Sequence, residues 1–204
     1  MCVVDTFNVI QSVLIALSAV ATAGAAWVGL TTWRRELVGR RKAELAEDIL
    51  TKAYEARHAL EAVRFPISVG DEGSTRPPLW NESADQEQFR NAIYTPVERL
   101  GRYHTVFSEL EALRFRLMAF YGDEAGRPIQ ELFSARERIV QSAFQMIRNL
   151  ERYERGDLDT TKWEQWGRDI GWDISEDPDP VAERANDAVT NLERLCGPAL
   201  QGKA

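Results

Sequence analysis

Few side chains in this 204-residue chain could do chemistry, and their spacing decides what kind. It has two histidines, His58 and His104, and two cysteines, Cys2 and Cys196. Glu55-x-x-His58 is the one metal-like spacing, because on a helix it sets a carboxylate and an imidazole on one face, as helical di-iron sites require. Such sites use two of these pairs and two further glutamates, whereas His104 has Gly101 where its carboxylate would stand. Glu55 and His58 therefore read as surface groups, and no metal or cofactor is expected. Gly70 and Gly73 make no phosphate cradle, since no strand precedes them and no Gly-Lys-Ser/Thr follows. Gly-x-Ser-x-Gly is absent. The acidic block Glu82–Gln88 and the run Ser175–Asp179 read as solvated surface and helix-start charge.

Aromatic residues are the other chemical signal. Trp163, Trp166 and Trp172 fall in a C-terminal segment broken by Gly167 and Gly171. Spacing of this kind predicts a cover packed over a small bundle. The sharper alternative makes these three and Trp80 a partner surface, because tryptophan is enriched where proteins bind one another.

What must position these residues begins with the N-terminus. Thr6 to Trp33 is a run of 28 residues without Asp, Glu, Lys or Arg. As a helix it reaches about 42 Å, against a hydrocarbon core of about 30 Å, so residues 6–33 are expected to cross a membrane. A cleaved signal peptide fits less well, because Met1 to Asp5 carries no Lys or Arg and the basic cluster follows the apolar run. That cluster is Arg34, Arg35, Arg40, Arg41 and Lys42, a collar over residues 34–42. Basic residues stay on the cytoplasmic side, which places residues 1–5 outside and residues 43–204 in the cytoplasm, at the plasma (inner) membrane. Trp27 and Trp33 fit the interfacial belt. Cys2 and Cys196 then lie on opposite sides and cannot pair within a chain, leaving Cys2 free to cross-link two copies in an oxidising exterior. Within the span, Ala21, Ala25 and Gly29 recur every four residues, the small-residue spacing through which helices associate in lipid.

Charge sets the partners. The chain carries −7 overall, while Asp5 carries −1 and residues 34–42 carry +4, leaving the body from residue 43 onward at −10. Anionic headgroups attract the collar and repel the body, so the body is expected to hang clear of the bilayer. An acidic body also excludes nucleic acid as a partner, since phosphate binding needs a basic face.

Periodicity in the body is helical throughout. Leu37, Leu45, Ile49, Ala53, Ala56, Leu60 and Val63 form one stripe, and with Gly39 a tolerable weak point the anchor is expected to continue into it as one helix. Residues 66–82 hold three prolines and two glycines and read as a solvated loop. A weak helix from Ser83 is expected to restart at Thr95-Pro96-Val97-Glu98, a capping box with proline at the first position, and to run to Gly122. A helix from Pro128 to Gly156 then forms a hairpin with it, and a last helix ends at Cys196-Gly197-Pro198. The expected fold is all-α: a transmembrane helix continuing into a small antiparallel helical bundle.

Together these readings predict a single-span, membrane-anchored interaction or scaffold protein without enzymatic activity, able to form homo-oligomers and to hold a cytoplasmic protein partner. One alternative is a membrane-perturbing effector that oligomerises through its span. Another is a helical-bundle enzyme with an unrecognised site.

Overall fold

A computed structural model describes residues 3–68, 70–172 and 179–202. It is all helical, with six α-helices, one short 3-10 helix and no strand among the described residues. The first helix, α1, runs without a break from Val3 to Val63, 61 residues and about 90 Å. Its two halves have different surroundings. Trp27 and Trp33 are 71% and 58% exposed, and no residue from Leu14 to Glu44 is buried. From Leu45 the same helix enters the core, where Leu45, Ile49, Ala53, Ala56, Leu60 and Val63 are all buried. Leu37 stands outside that stripe and is exposed, because the body reaches no further up the helix than about Lys42.

Around the lower half of α1 lie α2 (Ala84–Arg102), α3 (His104–Tyr121), α4 (Arg127–Glu154), α5 (Thr160–Ile170) and α6 (Pro180–Leu200). Ion pairs and hydrogen bonds fix their directions. Lys52 and Asp48 of α1 pair with Glu109 and Arg116 of α3, so α3 runs antiparallel to α1. Tyr54 donates to Glu193, and Arg64 pairs with Asp179, so α6 does too. α4 lies centrally, with Ile129, Leu132, Ala135, Ile139, Ala143, Met146 and Leu150 buried, and packs on α2, α5 and α6. The hairpin expected between α3 and α4 is a minor contact. α3 lies mainly on α1 and meets α4 through Phe107 and Phe133, whose rings sit edge-on at 5.8 Å.

The helix from Ser83 begins where expected, whereas its boundary with the next helix and the end of α6 differ from the sequence expectation, each for a local reason. Ser83, not Thr95, caps α2: its hydroxyl accepts from the Gln86 N–H, and the Gln86 side chain accepts in turn from the Ser83 N–H. Thr95 and Pro96 are buried inside α2, where the Thr95 hydroxyl donates to backbone carbonyls of Asn91 and Glu72. The chain turns instead at Tyr103, between α2 and α3. At the other end of the sequence α6 runs through Cys196, Gly197 and Pro198 and stops at Leu200. Its start is set by Asp179, whose carboxylate accepts from the Val181 and Ala182 N–H groups, with Pro180 at the first helical position.

Candidate functional site

Two features of the molecule could carry function: the bare upper half of α1 and the polar clasp at the far end of the body. The first is built from the residue types that lipid demands. Its helix satisfies every interior backbone group within itself, and its surface from Leu14 to Leu30 holds Leu, Ile, Val, Ala and Trp with nothing packed over them. An 18-residue window of this stretch has mean hydropathy of 1.7 and none of it is buried, so one helix is long and apolar enough to cross a membrane. Arg34, Arg35, Arg40 and Arg41 follow on the same helix and are exposed. Lys42 is half-buried, its ammonium 5.4 Å from the centre of the Tyr121 ring. Twelve residues separate Trp33 from Leu45, about 18 Å of helix, and this exceeds the interfacial layer that flanks each side of a hydrocarbon core. Ala21, Ala25 and Gly29 sit on one exposed face of this half.

The second feature occupies the stretch whose composition predicts a solvated loop, and buried charge ties it down instead. Arg76 is 6% exposed and Arg90 3% exposed. Both donate to Glu82, at 2.8 and 3.1 Å, and Arg90 also reaches Glu151 on α4. Burial raises the Glu82 carboxyl, but hydrogen bonds from Arg76, the Leu79 N–H and Arg90 outweigh it and hold the group below its ordinary value. Further along α2, Arg99 donates to the carbonyls of Phe65 and Ile67 and to Glu72, closing the end of α1 with a side chain. Glu98 accepts from the Thr75 hydroxyl and the Gly73 N–H, which keep its carboxyl low. Gly73 has φ of +89°, and a β-carbon there would collide with the Asn91 carbonyl. Val69 and residues 173–178 lie outside the described residues. Sequence reasoning misses this clasp because its arginines and glutamates are scattered over residues 72–99 and carry no spacing motif.

The tryptophans divide between core and surface. Trp163 is buried and stacked on Tyr153 at 4.1 Å. Trp172 meets Phe89 edge-on at 5.4 Å, and Trp166 is half-buried against the core. Trp80 stands apart at 92% exposure, on the loop that the clasp holds, beside Leu79. The four are not one surface in which all present themselves equally. Glu55 is bound by Lys52, which also takes Glu109, and Glu55 and His58 are both exposed. Among the described residues no three His, Cys, Asp or Glu side chains converge as metal ligands would. Cys2 lies outside the described residues, and Cys196 is buried, its thiol pushed up to about 11 by desolvation. Of the acidic blocks, Glu82 is a buried ion-pair partner, not solvated surface, while Asp85 and Glu87 do occupy the first turn of α2. Of Ser175–Asp179 only Asp179 is described, and it caps α6 and holds Arg64.

Comparison with family models, with curated proteins and with solved structures finds no match to this chain.

Proposed function

We propose that this chain is a single-span membrane protein that holds a helical interaction module at the inner face of the plasma membrane. The observation that supports it is the division of α1: one uninterrupted helix is bare and apolar above and core-forming below, so the span and the body are joined without a hinge. In water such a surface would be an aggregation liability; in hydrocarbon it is the surface that belongs there. The collar sets the body on the cytoplasmic side and keeps it beyond the headgroups. The module acts as an adaptor without enzymatic activity, and Trp80, exposed on a clasped loop, is the anchor it offers a cytoplasmic protein.

Pull-down of the full-length protein from detergent-solubilised membranes tests the adaptor reading. The expected result is a stoichiometric cytoplasmic partner captured by the wild-type chain and lost with Trp80→Ala. A partner retained equally by that variant contradicts the assigned anchor.

The face carrying Ala21, Ala25 and Gly29 supports a second reading, a homo-oligomer whose paired spans perturb the bilayer. Depolarisation of cells on overexpression, abolished by Gly29→Leu, distinguishes it from the adaptor.

A further inference from the structure

A groove on the body, of about 900 Å³, lies between α4 and α5 and reverses the charge of the surface around it. Its lining carries Arg138, Arg148, Lys162 and Arg184 against Glu137 and Asp169, on a body whose net charge is strongly negative. The cations are not all spent on neighbours. Arg184 pairs with Glu131 at 3.5 Å, but the side chains of Arg148 and Lys162 form no ion pair or hydrogen bond among the described residues.

The floor of the groove is built rather than incidental. Asp169, 2% exposed, accepts from Arg138 Nε at 2.7 Å and from Ser142 Oγ at 2.7 Å. That grip fixes the Arg138 guanidinium through its inner nitrogen and leaves its two outer nitrogens without a partner among the described residues. An arginine oriented in this way presents two fixed donor nitrogens to the acceptor atoms of a ligand. α4 and α5 run antiparallel here, since Asp169 sits beside Arg138 while Trp163 stacks on Tyr153. Arg138 and Arg148 are therefore about 15 Å apart along the groove, with Lys162 at the Arg148 end. Between the two ends lie half-buried Trp166 and the amide of Gln165. One helical turn, about 6 Å, separates Lys162 from Trp166 along α5.

From this arrangement we infer that the groove binds a small phosphate-bearing nucleoside. Arg148 and Lys162 hold the phosphate, Trp166 offers its ring to the base, and the Gln165 amide and Arg138 give donors to the base and sugar. Stacking on an indole and charge-assisted hydrogen bonds are the two interactions such ligands combine. The groove lies wholly on the body, so its chemistry is the same whether or not α1 enters a membrane. It also differs from a nucleic-acid site, because the basic surface is one groove and not an extended face.

Titration calorimetry on the full-length protein in detergent micelles tests it, with adenosine 5′-monophosphate, ribose 5-phosphate and inorganic phosphate as probes. The nucleotide is expected to bind saturably and more tightly than ribose 5-phosphate, and inorganic phosphate most weakly. Exchanging both exposed cations, Arg148→Gln with Lys162→Gln, is expected to weaken nucleotide binding by about 100-fold, about tenfold for each cation removed. Near-UV circular dichroism of the double variant serves as the check that the fold is kept. No saturable nucleotide binding overturns the proposal, as does binding unchanged in the double variant. Equal affinity for the nucleotide and ribose 5-phosphate overturns the assignment of Trp166 and of a nucleoside ligand.

Discussion

Glu82 is where the body's stability is most exposed to a single change. Its side chain is 5% exposed and sits between two guanidiniums that are themselves buried. Removing its charge leaves Arg76 and Arg90 without their shared counter-ion, and breaking a buried ion pair from one side costs more than the pair contributes. Glu82→Gln is expected to destabilise the body by about 2 kcal/mol at pH 7, read from urea denaturation followed by near-UV circular dichroism. The same group fixes the direction of the pH dependence. Glu82, Glu98 and Asp179 all titrate below their ordinary values in the folded protein. For Asp179, burial raises the carboxyl while Arg64 and the first N–H groups of α6 more than reverse it. The unfolded chain therefore binds more protons on acidification, so these groups contribute fully above about pH 4.5 and their contribution is lost as pH falls through the folded-state values. Denaturation midpoints flat from pH 6 to pH 8 and dropping below about pH 4.5 are expected; a midpoint that rises on acidification contradicts the ion-pair account.

At the scale of elements, the reciprocal bonds between Ser83 and Gln86 define where α2 begins. Ser83→Ala should lower stability by about 1 kcal/mol, while leaving the α2–α3 turn at Tyr103 in place. An unchanged melting midpoint would mean that α2 is held by its packing alone. Much of this level is legible in the chain. The stripe from Leu45 to Val63, the continuity of α1 through Gly39 and the ends of α4 follow from periodicity and from Gly and Pro placement. What misleads is local chemistry that tertiary contacts override. Thr95-Pro96-Val97-Glu98 has the pattern of a helix start, yet its threonine bonds backward and its glutamate bonds to the Gly73 loop. Pro198 reads as a stop and is carried inside α6. The clasp and the groove floor are not legible, because Arg76 with Glu82, and Arg138 with Asp169, meet only after the helices are packed.

The whole molecule divides along one helix into an uncovered apolar half and a core-forming half. From Leu45 onward α1 is stabilised by the bundle around it, whereas from Leu14 to Glu44 no residue is buried by the rest of the chain. Isolated helices are marginal in water, and an unshielded apolar one of this length has no reason to stay dispersed there. The adaptor reading, the sidedness drawn from the collar and the pairing through Gly29 all depend on that upper half lying in hydrocarbon. The most direct test is extraction of membranes from cells expressing the full-length chain, at alkaline pH and without detergent, followed by high-speed sedimentation. The protein is predicted to remain in the membrane pellet and to enter the supernatant only when detergent is added; its release into the alkaline supernatant would contradict the account.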